Sequence, residues 1–321
     1  MAGEHLFHGA GTGKVLIESG SHTPGVHAAD FGLAAGSAMR IERAAEPLRP
    51  VLSDYAVFDS DCETFAGAQN RLMPGWARIW IGLTADLFDV KVGSRKYPRL
   101  GSAMLIGVTS RAVPLTTYGG LSVVIDIGPL AWARLFAVSA ETLRDQVTPL
   151  DKLLPKSWCN DLVGRVAHTE RGRDVKFALD DFFFEHLPAP HPQEATLSRI
   201  LVLLIDEATH DLANAAAQVG IDNRLLLRLT KRYFGFPPKM LMMRTRFLRA
   251  MTAMLVDHGE TDFNAVPTGY HDQSHFIRDG NRFLGMTPRR FLALDLPYVR
   301  AAMRARMLVI GAATSTLDCG S

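Results

Sequence analysis

Two short stretches in the C-terminal part of this 321-residue chain repeat one pattern. Residues 232–239 read RYFGFPPK and residues 282–289 read RFLGMTPR, so each has the order basic, aromatic, apolar, Gly, two residues, Pro, basic. Glycine ends helices because it enters the left-handed conformation without strain, and proline is tolerated in the first turn of a helix. Each copy therefore predicts the end of one helix and the start of the next.

The residues before the first copy predict two helices joined by a tight turn. Apolar residues recur at helical spacing over 212–219, after which Gly220 permits a sharp turn and Asp222 is a good N-cap for a second helix. A helix, a turn of three or four residues and another helix form a helix-turn-helix unit. We refer to residues 223–234 as the first reading helix.

The first reading helix divides into an apolar face and a basic face. Leu226, Leu229 and Tyr233 are predicted to face the core. The opposite stripe consists of Arg224, Leu227, Arg228 and Lys231. Residues 223–249 contain eight basic residues and no acidic one, which favours a DNA-reading helix over the alternative of a solvated surface face.

The same layout returns about fifty residues later. Residues 265–268 lead to Gly269, residues 270–272 form the turn, and residues 273–284 form the second reading helix, with Phe276, Phe283 and Leu284 predicted to face inward. A long helix from residue 238 to about residue 258 joins the units. Its length of about 30 Å approaches the ~34 Å repeat of B-DNA, so both reading helices are expected to enter successive major grooves.

Because of these features, the segment of residues 211–294 resembles the DNA-binding domain of the AraC/XylS transcription regulators. The resemblance is carried by GYHDQSHF (269–276), FIRD (276–279) and the two copies of the repeated pattern. It implies two helix-turn-helix units in one domain, fused to a variable domain that senses a small molecule or mediates dimerisation. Carried over by position, the DNA-contacting residues are Arg224, Leu227, Arg228 and Lys231 in the first unit and Gln273, Ser274, Ile277 and Arg278 in the second.

The chain departs from the family pattern at four positions. Thr230 and Gly280 stand where the family has a buried Phe, Asn264 replaces an aliphatic residue, and Pro267 falls near the end of a helix. Glycine within a helix costs about 1 kcal/mol relative to alanine. We therefore predict that the second unit is the less stable one and reads less of the DNA sequence.

The N-terminal half has a different sequence pattern, which indicates β-strands. Together with the helical C-terminal part, it predicts an α+β fold. Between residues 36 and 129, short β-branched and aromatic runs alternate with turn residues at about ten-residue spacing, which indicates a barrel or sandwich of cupin-like type. Helical spacing follows over 129–145 and 157–187. The predicted division is a flexible arm (1–35), a β-rich sensor or dimerisation domain (36–150), a helical connector with a Pro-rich linker (151–193), the DNA-binding domain (194–297) and a C-terminal tail (298–321). GVTSRA (107–112) and VVIDIGPLAWARLF (123–136) resemble sensor halves of the family less specifically.

An enzyme is the main alternative class. His5, His8, His22 and His27 suggest the alternative of a metal-dependent cupin-like enzyme, yet these four histidines show no HxH, HxxxH or HExxH spacing. GAGTGK (9–14) lacks the register of a phosphate loop, and the three cysteines, far apart, favour neither disulfides nor structural zinc. We expect no catalytic residue, metal or cofactor.

These observations predict a cytoplasmic, sequence-specific transcription regulator, since neither a secretion signal nor an apolar run of about 18 residues is present. The expected partners are double-stranded DNA, a small-molecule effector, RNA polymerase if the protein activates transcription, and a second copy of the chain, but no membrane. A sensor or scaffold with weakened DNA binding remains the alternative. The sequence leaves open the effector and its binding residues, the operator, the target genes, the oligomeric state, and activation versus repression.

Overall fold

In a computed structural model, the structure describes residues 15–84, 88–168, 172–206, 212–256 and 267–318. Its N-terminal half, residues 36–150, is called the sheet domain below. The strands are β1 (Ser37–Arg43), β2 (Asp54–Ser60), β3 (Ala68–Leu72), β4 (Ala77–Gly82), β5 (Phe88–Val92), β6 (Arg95–Tyr97), β7 (Ala103–Ile106), β8 (Val113–Thr117), β9 (Gly120–Ile127) and β10 (Val147–Pro149).

The strands form two antiparallel sheets in the order β1-β2-β9-β4-β7-β10 and β3-β8-β5-β6. They make a sandwich and not a closed barrel, which resolves the two predicted options. Strand β9 is buried at all eight positions because both of its faces are covered. Its residue Val124 packs in a cluster with the second sheet, whereas Val123 and Ile125 pack with helices from the rest of the chain.

Ten α-helices are present in the described part of the chain. They are α1 (Pro129–Leu135), α2 (Lys156–His168), α3 (Val175–His186), α4 (Glu194–Ile205), α5 (Leu212–Val219), α6 (Asn223–Leu229), α7 (Pro238–Val256), α8 (Gln273–Leu284), α9 (Pro288–Leu292) and α10 (Pro297–Ile310). The prediction of helix over 129–145 was wrong beyond Leu135, because Phe136 is extended and β10 then joins the first sheet. None of the described helices has the length and hydropathy needed to cross a membrane.

Both ends of the described chain pack on the sheet domain. Residues 1–14 of the predicted arm, with His5, His8 and GAGTGK, lie outside the described residues, but Gly20 already exchanges backbone hydrogen bonds with Met39 and Ile41. Phe31 is fully buried. The segment predicted as a C-terminal tail forms most of α10, whose Ala301 and Ala305 pack in the same cluster as Phe31.

The first reading helix is not one continuous α-helix as predicted. Helix α6 ends at Leu229, and Thr230–Phe234 form a single π-helical turn. The buried hydroxyl of Thr230 donates to the carbonyls of Leu226, at 2.9 Å, and Leu227, at 3.2 Å. Back-bonding of this kind loosens the helical ladder, so the widened turn occurs where the family has Phe.

Candidate nucleic-acid interface

The first reading helix is fixed by its cap and by its apolar face. The carboxylate of Asp222 accepts the backbone N–H of Leu225 at 2.7 Å, which confirms the predicted N-cap. Leu226, Leu229 and Tyr233 are buried, as predicted. The predicted basic stripe therefore faces away from the core, and even the apolar Leu227 is 42% exposed on it.

The four predicted contact residues of the first unit lie around one shallow surface depression. Arg224, Leu227, Arg228 and Lys231 line it together with Asp222 and Leu225. Within the described residues, neither Arg224 nor Arg228 has an acidic partner. Two exposed guanidinium groups one helical turn apart are able to bind phosphates or guanine edges without first breaking an ion pair.

Lys231 differs from the two arginines because it already forms an ion pair with a residue of the sheet domain. Its Nζ lies 3.1 Å from Oε1 of Glu141, and both side chains are more than a third exposed. A carboxylate at this distance competes with a DNA phosphate for the ammonium group and repels the DNA backbone.

We predict that Glu141→Gln raises DNA affinity about 2- to 10-fold at low salt and less at high salt, because screening weakens exposed charge interactions. Electrophoretic or fluorescence titrations at several salt concentrations would measure the effect. Glu63→Gln, which removes an exposed carboxylate elsewhere on the sheet domain, is the matched control. Equal changes in both variants would show that only net charge matters and would contradict a local role for Glu141.

The second reading helix, α8, presents its predicted contact residues in a similar way. Asp272 accepts the N–H of His275 at 2.7 Å as the N-cap, and the predicted core residues Phe276, Phe283 and Leu284 are buried. Ser274, Ile277 and Arg278 are exposed and Gln273 is partly exposed. Asn264 and residues 265–266 lie outside the described residues.

A polar cluster that the sequence interpretation did not assign fixes α8 against the long helix α7. Arg246 donates to the buried carboxylate of Asp279 at 2.9 Å, and the hydroxyl of Tyr270 donates to the same oxygen at 3.1 Å. A ring nitrogen of His275 lies 3.0 Å from Arg246 as well. The FIRD motif had marked Asp279, but only the fold shows that its partner is a residue 33 positions earlier.

The eight cations of residues 223–249 do not all lie on one electropositive surface. Arg244 is fully buried, with its guanidinium 4.6 Å from the Trp76 ring centroid and 5.6 Å from that of Phe236. Burial, with Arg78 nearby, lowers the pKa of Arg244 to about 9, so it remains charged at neutral pH. Arg244 and Arg246 thus join parts of the fold to one another.

The presence of glycine at position 280 is explained by the close contact with Pro288. A Cβ at this position would lie 2.4 Å from Cδ of Pro288, so the proline ring fills the space in which a side chain would stand. The expected loss of apolar packing relative to a Phe is therefore compensated in part by Pro288, which is itself buried.

We predict that Gly280→Ala lowers the free energy of unfolding by about 1–3 kcal/mol, although alanine favours helix, because the methyl group overpacks the contact with Pro288. Urea denaturation would measure it. Asn281→Ala, at the adjacent exposed position, gains helix propensity without a clash and is the control. A stabilised Gly280→Ala protein would show that the ring moves away freely.

The sheet domain contacts both copies of the repeated sequence pattern. Ala140 donates its N–H to the carbonyl of Arg232, and Ala112 donates to the carbonyl of Phe283, each at 2.7 Å. Carbonyls in the last turn of a helix lack partners within the helix, so these bonds cap both reading helices from outside. At Gly235, a Cβ would lie 2.2 Å from Cγ2 of Val108. This glycine therefore ends the helix and also allows Val108 of the sheet domain to approach the backbone closely.

Among the described residues, a single group of three side chains could hold a metal ion. Asp161, Glu185 and His186 place possible ligand atoms within 4.8 Å of one another. Arg165 already forms ion pairs with both carboxylates, and these pairs hold α2 against α3. Of the predicted histidines, His22 lies 3.1 Å from Glu42.

The chain is similar to one protein family and to several solved structures. Residues 195–293 match a protein family described as a helix-turn-helix domain, whereas no curated protein matches the chain. Among solved structures, apo ToxT from Vibrio cholerae is similar over 81% of this chain and 98% of its own, with 13% identity and a TM-score of 0.41. ToxT bound to an unsaturated fatty acid covers 81% and 96%, with 12% identity and a TM-score of 0.41. The AraC-like transcriptional activator CuxR covers 70% and 89%, with 10% identity and a TM-score of 0.28.

The helix-turn-helix formed by α5 and α6, followed by the long helix α7 and by α8, defines a DNA-binding protein of the helix-turn-helix class. Residues 195–293 of this chain form its helix-turn-helix domain.

Proposed function

We propose that the chain is a sequence-specific transcription regulator that reads DNA mainly through its first helix-turn-helix unit. The observation that carries this is the pair Arg224 and Arg228, exposed on a capped helix and without acidic partners among the described residues. Arg contributes both to phosphate affinity and, through bidentate bonds to guanine, to base selection. Lys231 adds a phosphate contact once it is released from Glu141.

The second unit adds a smaller share of the readout. Gln273 and Ser274 would bond base edges, Ile277 would contact a thymine methyl group, and Arg278 would bind a phosphate or guanine. Its reading helix carries only Arg278 and Arg282 as cations. Leu227 of the first unit is the apolar counterpart of Ile277, since both are exposed at matching positions of the two helices.

We further propose that the sheet domain controls DNA binding. It caps both reading helices and pairs with Lys231, so a change in this domain reaches both contact surfaces. The controlling event is the binding of a small-molecule effector or the contact with a second copy of the chain. RNA polymerase is a partner if the regulator is an activator.

Selection of bound sequences from random DNA, followed by salt titration, tests this function. We expect a selected motif and a log–log slope of several units, because each phosphate contact contributes about 0.9 to the slope. Arg95→Ala, which removes an exposed cation from β6, is the control and should leave both unchanged. A protein that selects no sequence and shows a flat salt response would be a sensor or scaffold instead.

A further inference from the structure

A cavity of about 100 Å³ lies between the two sheets and is closed on one side by α10. Its apolar wall includes Phe58, Trp80, Phe88, Leu115 and Val124, which come from five different strands and from both sheets. An apolar cavity of about 150 Å³ holds benzene. The present cavity is smaller but only partly enclosed, so one ring with a small substituent is the largest occupant that it fits, with part of the molecule in the opening.

Four buried side chains in this wall have polar atoms without a hydrogen-bond partner among the described residues. They are Asn70 (Oδ1 and Nδ2), Trp80 (Nε1), Ser122 (Oγ) and Thr314 (Oγ1). All four are more than nine-tenths buried and all line the cavity. Buried polar atoms are nearly always paired, so five unpaired atoms around one space mark a site built for a polar occupant.

The charges in the wall balance one another. Arg78 pairs with Asp126 at 2.8 Å, and Arg306 pairs with Asp54 at 2.8 Å. Arg71 also borders the cavity. It follows the inward-facing Asn70 in β3, so strand alternation turns its side chain toward the outer face of the sheet. Among the described residues, the inner face thus offers neutral donors and acceptors to an occupant, while its charged groups are engaged in ion pairs.

We infer that this cavity binds a compact, uncharged molecule with an apolar body and at least one hydrogen-bond donor and one acceptor. The Asn70 amide supplies both a donor and an acceptor, which matches a carboxamide or a similar group. Trp80 donates, and the hydroxyls of Ser122 and Thr314 adapt to either role. Burial raises the pKa of Tyr298, also in the wall, to about 12, so this side chain is neutral too.

Helix α10 connects the cavity to the second helix-turn-helix unit. Tyr298, Ala302 and Met303 line the space, while Arg300 on the same helix donates to the carbonyls of Leu292, at 2.9 Å, and Leu255, at 3.4 Å. An occupant therefore contacts the helix that is bonded to the end of α7 and to α9. Control of DNA affinity by this route rests on the proposed function, whereas binding in the cavity does not.

The binding test uses the full-length protein without DNA and three one-ring probes. Benzamide is neutral with a donor and an acceptor, toluene lacks polar groups, and benzoate is charged. We expect benzamide to raise the melting temperature saturably and to change the tryptophan fluorescence, with toluene and benzoate at least about tenfold weaker. No saturable response to benzamide, or tighter binding of benzoate, would overturn the inference.

Two variants separate a ligand site from a merely structural cluster. Asn70→Leu should abolish the benzamide response and raise the melting temperature of the free protein by about 2 °C or more, because two unpaired buried atoms are removed. Gln69→Leu, on the exposed face of the same strand, should retain benzamide binding. If Asn70→Leu melts lower than the wild type, Asn70 serves the fold and the assigned site is wrong.

A DNA titration with and without benzamide then tests the connection through α10. A shift of at least about threefold in DNA affinity, absent in Asn70→Leu, is expected. Binding of benzamide without any shift would contradict the connection and leave the site standing. A protein that binds benzamide but no DNA would refute the proposed function alone, so the two failures are distinguishable.

Discussion

Replacing Arg306 with methionine is expected to lower the free energy of unfolding by about 3–5 kcal/mol at neutral pH. Arg306 reaches from α10 into the sheet domain, where its guanidinium lies 2.8 Å from Asp54 and 3.5 Å from Asp126. Both carboxylates are at least 97% buried. Methionine keeps much of the aliphatic volume but leaves Asp54 without its cation, and an uncompensated buried charge is strongly destabilising.

The loss of stability in Arg306→Met should depend on pH, in a direction that follows from the pKa of Asp54. Burial raises the pKa of Asp54, Arg306 opposes the rise, and Asp126 adds to it. Without Arg306, the pKa of Asp54 in the folded protein rises further above its unfolded value of about 3.9. At pH values between the unfolded and the folded pKa, the folded protein therefore binds more protons than the unfolded chain. Stability then falls as pH rises through the interval, and the deficit is larger at pH 8 than at pH 5.

Chemical denaturation of wild type and Arg306→Met at both pH values measures this. Arg199→Met, at an exposed position on α4, removes the same charge and should change stability by no more than about 0.5 kcal/mol. A deficit that is equal at pH 5 and pH 8 would show that Asp54 does not depend on Arg306 for its charge. The same experiment would then assign the anchoring of α10 to its apolar contacts.

The DNA-binding domain was predictable because its signals are local. Asp222 as a cap, Gly235 as a stop and Pro288 as a start act within one helical turn, and the structure has each in that role. Apolar spacing alone selected the buried Leu226 and Phe276. The exposed face then followed by exclusion, although direct DNA contact by those residues remains a prediction.

What sequence reasoning missed depends on contacts between distant parts of the chain. Trp76 donates from its indole to the carbonyl of Ser315, 239 positions away, and nothing periodic in the sequence relates the two. Arg244 and Arg228 are equally basic in sequence, yet Arg244 is buried beside Trp76 and Arg228 is exposed. The cavity was missed for the same reason, since its wall combines both sheets with α10.

Replacing Arg224 and Arg228 together with alanine is expected to weaken specific DNA binding by about 2–6 kcal/mol, since each well-placed arginine contributes about 1–3 kcal/mol. Each lost phosphate contact should also reduce the log–log salt slope by about 1. Both side chains are exposed, and within the described residues neither supports the fold through an ion pair. The melting temperature should therefore stay near that of the wild type, which separates loss of binding from loss of structure.

The single variants Arg228→Ala and Arg278→Ala compare the two units. Arg278 bonds through Nε to the carbonyl of Ser274 at 3.3 Å, so part of its donor capacity is already used within α8. Arg228 has no acidic partner in the described part of the chain, and it lies beside Arg224 and Lys231 on one depression. We expect Arg228→Ala to weaken binding more than Arg278→Ala, with Arg95→Ala unchanged as the control. A larger loss for Arg278→Ala at fixed salt would make the second unit the principal reader, and the sequence selected by that variant would be relaxed at the bases beneath α8.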